Sequence, residues 1–127
     1  MNPVDTPLRD TIDEAGIAAL VDTFYGKVRS DPDLGPVFEG AISDWGPHLG
    51  TMRRFWSSVM LRTASYHGTP MQKHAALPGL TPQLFDRWLV LFDRTAGELF
   101  VPELAAEFCT RAHRIARSLQ LGLFYRP

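Results

Sequence analysis

The stretch TPMQKHAALP at residues 69–78 predicts a short, well-capped helix that presents one histidine, His74. Thr69, followed three residues later by Gln72, forms a capping box, in which the two side chains satisfy backbone amides at the start of a helix. Because a Pro-Gly pair follows, the helix has room for about two turns and ends near Leu77. A plain bundle of long helices has no need for such a helix in a loop, whereas a protein that must hold one side chain in a fixed position does.

Long helices are predicted on both sides of this short one, because apolar residues recur at spacings of three and four and strand-like alternation is absent. Thr11 with Glu14 predicts a capping box at the first long helix, and Gly122 predicts the end of the last one. The pattern therefore predicts an all-α fold. The predicted long helices cover about residues 12–29, 43–62, 82–100 and 102–121, and residues 34–42 are predicted as turns or a short 3₁₀ segment.

Three polar side chains lie on the apolar faces of three different predicted helices. They are Tyr25, His48 and Trp88. A buried hydroxyl without a hydrogen bond costs on the order of 1–3 kcal/mol, and a buried indole N–H has the same need for a partner. Taken singly, each is more commonly an ordinary core or boundary residue. Together they would be explained if they converged on one polar molecule in an apolar cavity, such as a diatomic ligand of iron.

His74 is the candidate ligand of that iron. An axial histidine needs a neutral imidazole, held in one orientation by a hydrogen bond from its other ring nitrogen. The short helix supplies an acceptor for this bond, the carbonyl of Pro70 four residues earlier. Spacing alone also fits a partly buried surface histidine. His67, in a loop, and His113, among arginines, are expected to be exposed.

Length and composition limit the possible functions. With 127 residues, the chain is expected to form a single domain over residues 1–127, with residues 1–10 as a loose N-terminal extension lacking a signal peptide. A net charge of −1 argues against nucleic acid or a membrane surface as the main partner. The lone Cys109 fits a reducing cytoplasm. Phosphate-binding loops, dinucleotide fingerprints, zinc-protease motifs and inward pairs of acidic residues are absent from the sequence.

Four segments of the chain resemble one known family, the group III or P-type truncated haemoglobins. The likeness extends over about residues 12–123 of the sequence, with the segments in the family's order and at its separations. The glycine pairs at helix junctions of the other two truncated groups are missing, as in group III. The four segments are FYGKVRSDPDLGPVF (24–38), DWGPHLGTMRRFW (44–56), PMQKHAALP (70–78) and FDRWLVLF (85–92).

The resemblance implies a two-over-two helical globin sandwich around haem b, with His74 as the proximal ligand of the iron. It implies that Tyr25, His48 and Trp88 line the distal side. The residues that it places near the porphyrin are Phe38, Met52, Phe55, Trp56, Leu77 and Phe85. The residues that it matches to the haem propionates are Tyr66 and Lys73, with Arg53 a weaker match.

From these residues we expect a haem protein that binds O₂ and other small diatomic ligands. Hydrogen bonds from Tyr25 and Trp88 to a partly charged ligand, each of about 1–3 kcal/mol, would make binding tight and release slow. His48 is long enough to swing outward and control access. The alternative is a haem enzyme for nitric oxide oxidation or peroxidase-type chemistry, which would need an external reductase. A helical module without cofactor is the third possibility, and it would be colourless.

Overall fold

The computed structural model describes residues 7–66, 68, 74 and 79–124, and these residues are predominantly helical. They contain no strand, and their one isolated bridge joins Arg9 to Phe100. The prediction of an all-α class is therefore confirmed. The helices whose bounds are described are α1 (Glu14–Ser30), α2 (Leu34–Ala41), α3 (Trp45–Leu61), α4 (Pro82–Leu99) and α5 (Pro102–Phe124).

Helix α1 is the centre of the molecule. Its predicted apolar stripe is buried throughout, from Ile17 at one end to Val28 at the other. The helix contacts α2, α3 and α4, while α4 also contacts α5. Large aromatic side chains fill the space between them, with the Trp56 ring of α3 stacked on the Phe92 ring of α4 at 5.0 Å between centroids. The core is thus built around α1, α4 and α5.

The start of α1 and the end of α5 differ from the prediction. The carboxylate of Asp13 caps α1 by accepting the Gly16 N–H at 2.8 Å, so the helix begins at Glu14 and the predicted Thr11 capping box is wrong. Helix α5 continues past the predicted stop at Gly122 and is described as far as Phe124. The aromatic ring of Phe124 packs on that of Phe85, at 5.9 Å between centroids. This contact stabilises the last turn, although glycine inside a helix is unfavourable by about 1 kcal/mol.

Residues 34–41 form a true α-helix, where turns or a short 3₁₀ segment were predicted. The Asp31 carboxylate starts this helix by accepting the N–H groups of Asp33 and Leu34, at 3.1 and 2.9 Å. Pro36 is compatible with the helix because it lies in the first turn, where backbone N–H groups have no intrahelical partner.

The apolar face predicted for α3 is only half covered by protein. The fully buried residues of this helix are Trp56 and Ser57. Half-buried residues occupy the predicted face itself, at the spacing of one helical stripe: Trp45, His48, Met52, Phe55 and Val59. A stripe of this size is normally buried against another element, whereas this one is only partly covered.

Two predictions concern segments that the structure describes in part. Residues 1–10 were expected to be loose, yet the Arg9 N–H donates to the Leu99 carbonyl at 2.8 Å and the Arg9 carbonyl accepts from Val101 N–H at 2.9 Å. Residues 1–6 lie outside the described residues, as do all members of the predicted short helix at 69–77 except His74. Among the described helices, none has the length and apolar character needed to cross a membrane.

Candidate functional site

The structure brings Tyr25, His48 and Trp88 together from three helices. Tyr25 lies on α1 with 5% of its surface exposed. Its ring meets the His48 ring of α3 edge to face, at 5.5 Å between centroids and 88° between planes. Its hydroxyl forms a hydrogen bond with the Trp88 side chain of α4. Since an indole can only donate, the Trp88 N–H is the donor and the Tyr25 oxygen the acceptor.

Burial extends the pH range over which Tyr25 stays neutral. It raises the pKa of the phenol well above its usual value of about 10, and the hydrogen bond from Trp88 lowers that pKa only in part. Tyr25 is therefore a neutral phenol at physiological pH. Because its oxygen already accepts from Trp88, its own hydrogen remains available for donation.

Packing fixes the orientation of the Trp88 ring. On one side the ring stacks almost parallel on Phe92, at 5.2 Å between centroids and 8° between planes. On another it meets the edge of Phe24 at 4.9 Å and 83°. These two contacts hold the indole so that its N–H reaches Tyr25.

His74 contacts the turn of α4 that carries Trp88. It is half-buried, its backbone is helical, and its ring centroid is 6.3 Å from that of Phe85. Phe85 and Trp88 are three residues apart on α4, or about 4.5 Å along the helix axis. One turn of α4 therefore contacts His74 through Phe85 and Tyr25 through Trp88.

Helices α2, α3 and α4 present apolar side chains that pack on the core and are partly exposed. These residues are Phe38, Leu49, Met52, Phe55, Leu84 and Trp88. A flat apolar molecule would cover such side chains and bury their remaining surface. A half-buried histidine would supply it with a ligand to a central metal. The described residues thus fit a haem.

The remaining predicted site residues occupy varied positions. Tyr66 is half-buried against Phe55, at 5.2 Å between ring centroids. Trp56 is a core residue, with 3% of its surface exposed. Arg53 forms an ion pair with Asp22 of α1 at 2.6 Å. Lys73 and Leu77 lie outside the described residues.

Two features near the site were not identified from the sequence. Trp45 packs against Tyr25 and His48, with ring centroids at 6.1 and 5.5 Å. Its spacing of three residues from His48 on one helical face was the available signal. The second feature is an ion pair of buried Asp31 with Arg87, whose Nε and Nη2 atoms both lie 2.8 Å from Asp31 Oδ1.

The Asp31–Arg87 pair joins the start of α2 to the residue next to Trp88. Burial of Asp31 acts to raise its pKa. Hydrogen bonds from the Leu34 N–H, the Arg87 guanidinium and the Asp33 N–H outweigh burial, so the pKa of Asp31 lies below its usual value. The carboxylate is therefore ionised at neutral pH and ties α2 to α4.

A small all-α fold with a histidine, a cluster of Tyr25, His48 and Trp88, and half-covered apolar side chains is the arrangement expected of a globin. A comparison with models of protein families finds no match. The chain is 35% identical over 119 residues to the group 3 truncated hemoglobin of Campylobacter jejuni, covering 91% of this chain and 94% of that protein. A crystal structure of the group III truncated hemoglobin from the same organism matches with a TM-score of 0.89 and 34% identity, over 93% of this chain and 96% of that one.

The chain belongs to the group III truncated haemoglobins. The family predicted from the four sequence segments and the fold predicted with it are both confirmed. Membership in a haemoglobin family implies a haem cofactor.

Proposed function

We propose that this chain binds haem b through His74 and holds O₂ and other small diatomic ligands tightly on the distal side. The observation that carries the proposal is the convergence of Tyr25, His48 and Trp88 from three helices. In a helical protein without a cofactor, there would be no common reason for these three polar groups to lie together among apolar side chains. When bound, the haem supplies an iron with an open coordination position for a diatomic ligand.

His74 is the proposed proximal ligand. Its ring lies against Phe85, which limits rotation of the imidazole. The proposed apolar contacts of the porphyrin are Phe38, Met52, Phe55, Trp56, Leu77 and Phe85. The proposed partners of the propionates are Tyr66 and Lys73. Arg53 is not retained, because its guanidinium is engaged by Asp22.

Tyr25 is the proposed main donor to the ligand. Donation from Trp88 to the Tyr25 oxygen polarises the phenol and strengthens its own donation. Such a bond to a partly charged acceptor contributes about 1.5–3 kcal/mol. This favours slow release, which suits ligand holding or sensing better than bulk transport. His48 covers Tyr25 on its side and controls access to it.

Absorption spectra of the purified protein test the haem site. We expect a Soret band in the ferric, ferrous and CO-bound forms of the native protein, and loss of proximal coordination in His74→Ala. His113→Ala is the matched control, because His113 is exposed and bonded to Asp93 at 2.8 Å. Colourless native protein, or a His74→Ala variant with the native spectrum, would refute the assignment.

Kinetics separate ligand holding from enzymatic turnover. If holding is the function, O₂ release is slow and neither nitric oxide nor peroxide is consumed rapidly when a reductase is supplied. Rapid consumption under those conditions would support the enzymatic alternative instead.

We also propose a reducing location such as the cytoplasm, since the single cysteine, Cys109, is a free thiol.

A further inference from the structure

Trp45 lies between solvent and the distal residues. It is the first residue of α3 and is half-buried. On its outer side, the Arg29 guanidinium carbon lies 4.5 Å from the centroid of the indole ring, a cation–π contact. On another side, the Phe38 ring stacks at 6.4 Å between centroids and 29° between planes. The indole is therefore held by residues of α1 and α2.

The same indole closes the solvent side of the distal pair. It meets the His48 ring edge to face at 5.5 Å and 89°, and it contacts Tyr25 at 6.1 Å. Exposure falls along this path, from Arg29 with 48% of its side chain exposed to Tyr25 with 5% of its surface exposed. A ligand that approached Tyr25 from the side of Arg29 would meet Trp45 and His48 first.

Two opposing contributions act on the Trp45 side chain. Its indole nitrogen is buried and has no hydrogen-bond acceptor among the described residues. Outward movement would return this N–H to water and restore a hydrogen bond, so burial of the N–H favours an open arrangement. The contact with Arg29 favours the closed arrangement, in which the indole stays packed against His48. The equilibrium between the open and the closed arrangement of Trp45 therefore depends on both contributions.

We propose that Trp45, held by Arg29, is a positioning residue that keeps His48 closed over Tyr25 and thereby sets the rate at which small ligands reach the distal side. The inference rests on the proposed haem function. It assigns Arg29 and Trp45 to ligand access, while Tyr25 and Trp88 control release. The two groups of residues therefore affect different rate constants.

CO association after flash photolysis of the haem protein tests this division. Arg29→Met removes the cation and keeps an extended side chain, and we expect association about two- to fivefold faster, as for loss of an exposed cation–π contact. Trp45→Leu should have at least that effect. Release of O₂ should change by less than about twofold in both variants, because the distal hydrogen bonds do not involve these residues. Glu39→Gln is the control, since it removes the ion pair of Arg29 at 3.1 Å and leaves the Trp45 contact in place.

A double-mutant cycle identifies the route of the effect. In a His48→Ala background, Arg29→Met and Trp45→Leu should no longer change CO association, because the residue through which they act is gone. Effects of the same size with and without His48 would overturn the proposal, as would native association rates in both single variants. Arg29 is exposed, so Arg29→Met decides the matter even if Trp45→Leu fails to fold.

A second measurement is independent of ligand kinetics. The chain has three tryptophans, so the indole N–H signal of Trp45 in the CO-bound protein is assigned by its loss in Trp45→Leu. We expect its hydrogen exchange to accelerate about two- to fivefold in Arg29→Met, with the buried Trp56 as internal reference. Unchanged exchange would contradict the role of Arg29.

A protein that takes up no haem would refute the proposed function. A haem protein whose CO association rate does not depend on Arg29 and Trp45 would refute this inference alone.

Discussion

Replacing Tyr25 by phenylalanine removes one oxygen atom from the centre of the distal cluster. In the native protein that oxygen accepts the Trp88 N–H, and its hydrogen is the proposed donor to a ligand. The substitution therefore has two consequences. It deletes the main donor to the ligand, and it leaves the Trp88 N–H without its acceptor. The phenylalanine ring itself keeps the contacts of the buried tyrosine ring with Phe24 and His48.

The size of each effect follows from these contacts. Loss of a hydrogen bond of about 1.5–3 kcal/mol to a partly charged ligand accelerates release about 10- to 100-fold. Because Trp88 is only half-buried, loss of the acceptor for its indole N–H lowers the free energy of unfolding by about 0.5–1.5 kcal/mol. Trp88→Phe should accelerate release less than Tyr25→Phe, because Tyr25 keeps its donor. The double variant should fall short of the product of the two single effects, since the groups are directly bonded.

Stopped-flow measurement of O₂ release and urea unfolding of the same variants give both quantities. Thr95→Val is the matched control, because the Thr95 hydroxyl is fully buried and bonded within α4 to the Leu91 carbonyl at 2.7 Å. It should alter stability while leaving release unchanged. Native release rates in both Tyr25→Phe and Trp88→Phe would refute the account of ligand holding.

Two further predictions concern pH. The folded-state pKa of Tyr25 lies above the unfolded value of about 10, so its contribution to stability is complete below pH 10 and is lost as pH rises further. Between pH 9 and 11, the free energy of unfolding measured in urea should fall less in Tyr25→Phe than in the native protein. Both are measured in a Cys109→Ala background, because burial and Asp93 raise the pKa of Cys109 to about 12. Conversely, the lowered pKa of Asp31 means that its contribution is present above pH 4 and disappears as pH falls further. Arg87→Met should lower the free energy of unfolding by about 1–3 kcal/mol, a figure that already allows for the exposure of Arg87. An unchanged midpoint of acid unfolding in this variant would contradict the role of the pair.

Local sequence patterns predicted the features that depend on one helix at a time. The buried stripe of α1 and the inward positions of Tyr25, His48 and Trp88 follow from spacings of three and four. Helix α2 was missed because its first turn contains glycine and proline, and because its start depends on the side chain of Asp31. That side chain is itself fixed by Arg87, which is 56 residues away in the sequence.

The parts of the site that the sequence did not reveal depend on contacts between helices. In the sequence, Trp45 appeared as one more apolar residue of α3. The contacts that distinguish it are with other helices, with Arg29 of α1 and Phe38 of α2, and local spacing does not reveal them. Trp56 was expected beside the porphyrin on the strength of the family resemblance. In the structure Trp56 is buried and stacked on Phe92, and its place beside the porphyrin stays a prediction.

The half-covered stripe of α3 affects how much of the protein a cell can maintain. Met52 and Phe55 stay partly exposed on the polypeptide alone, and such apolar surface promotes aggregation and recognition by quality-control machinery. A cofactor that covers it stabilises the native state by mass action, by about 4 kcal/mol when its free concentration is about 1,000 times its dissociation constant. The steady-state amount of this globin should therefore follow haem supply, even at constant synthesis.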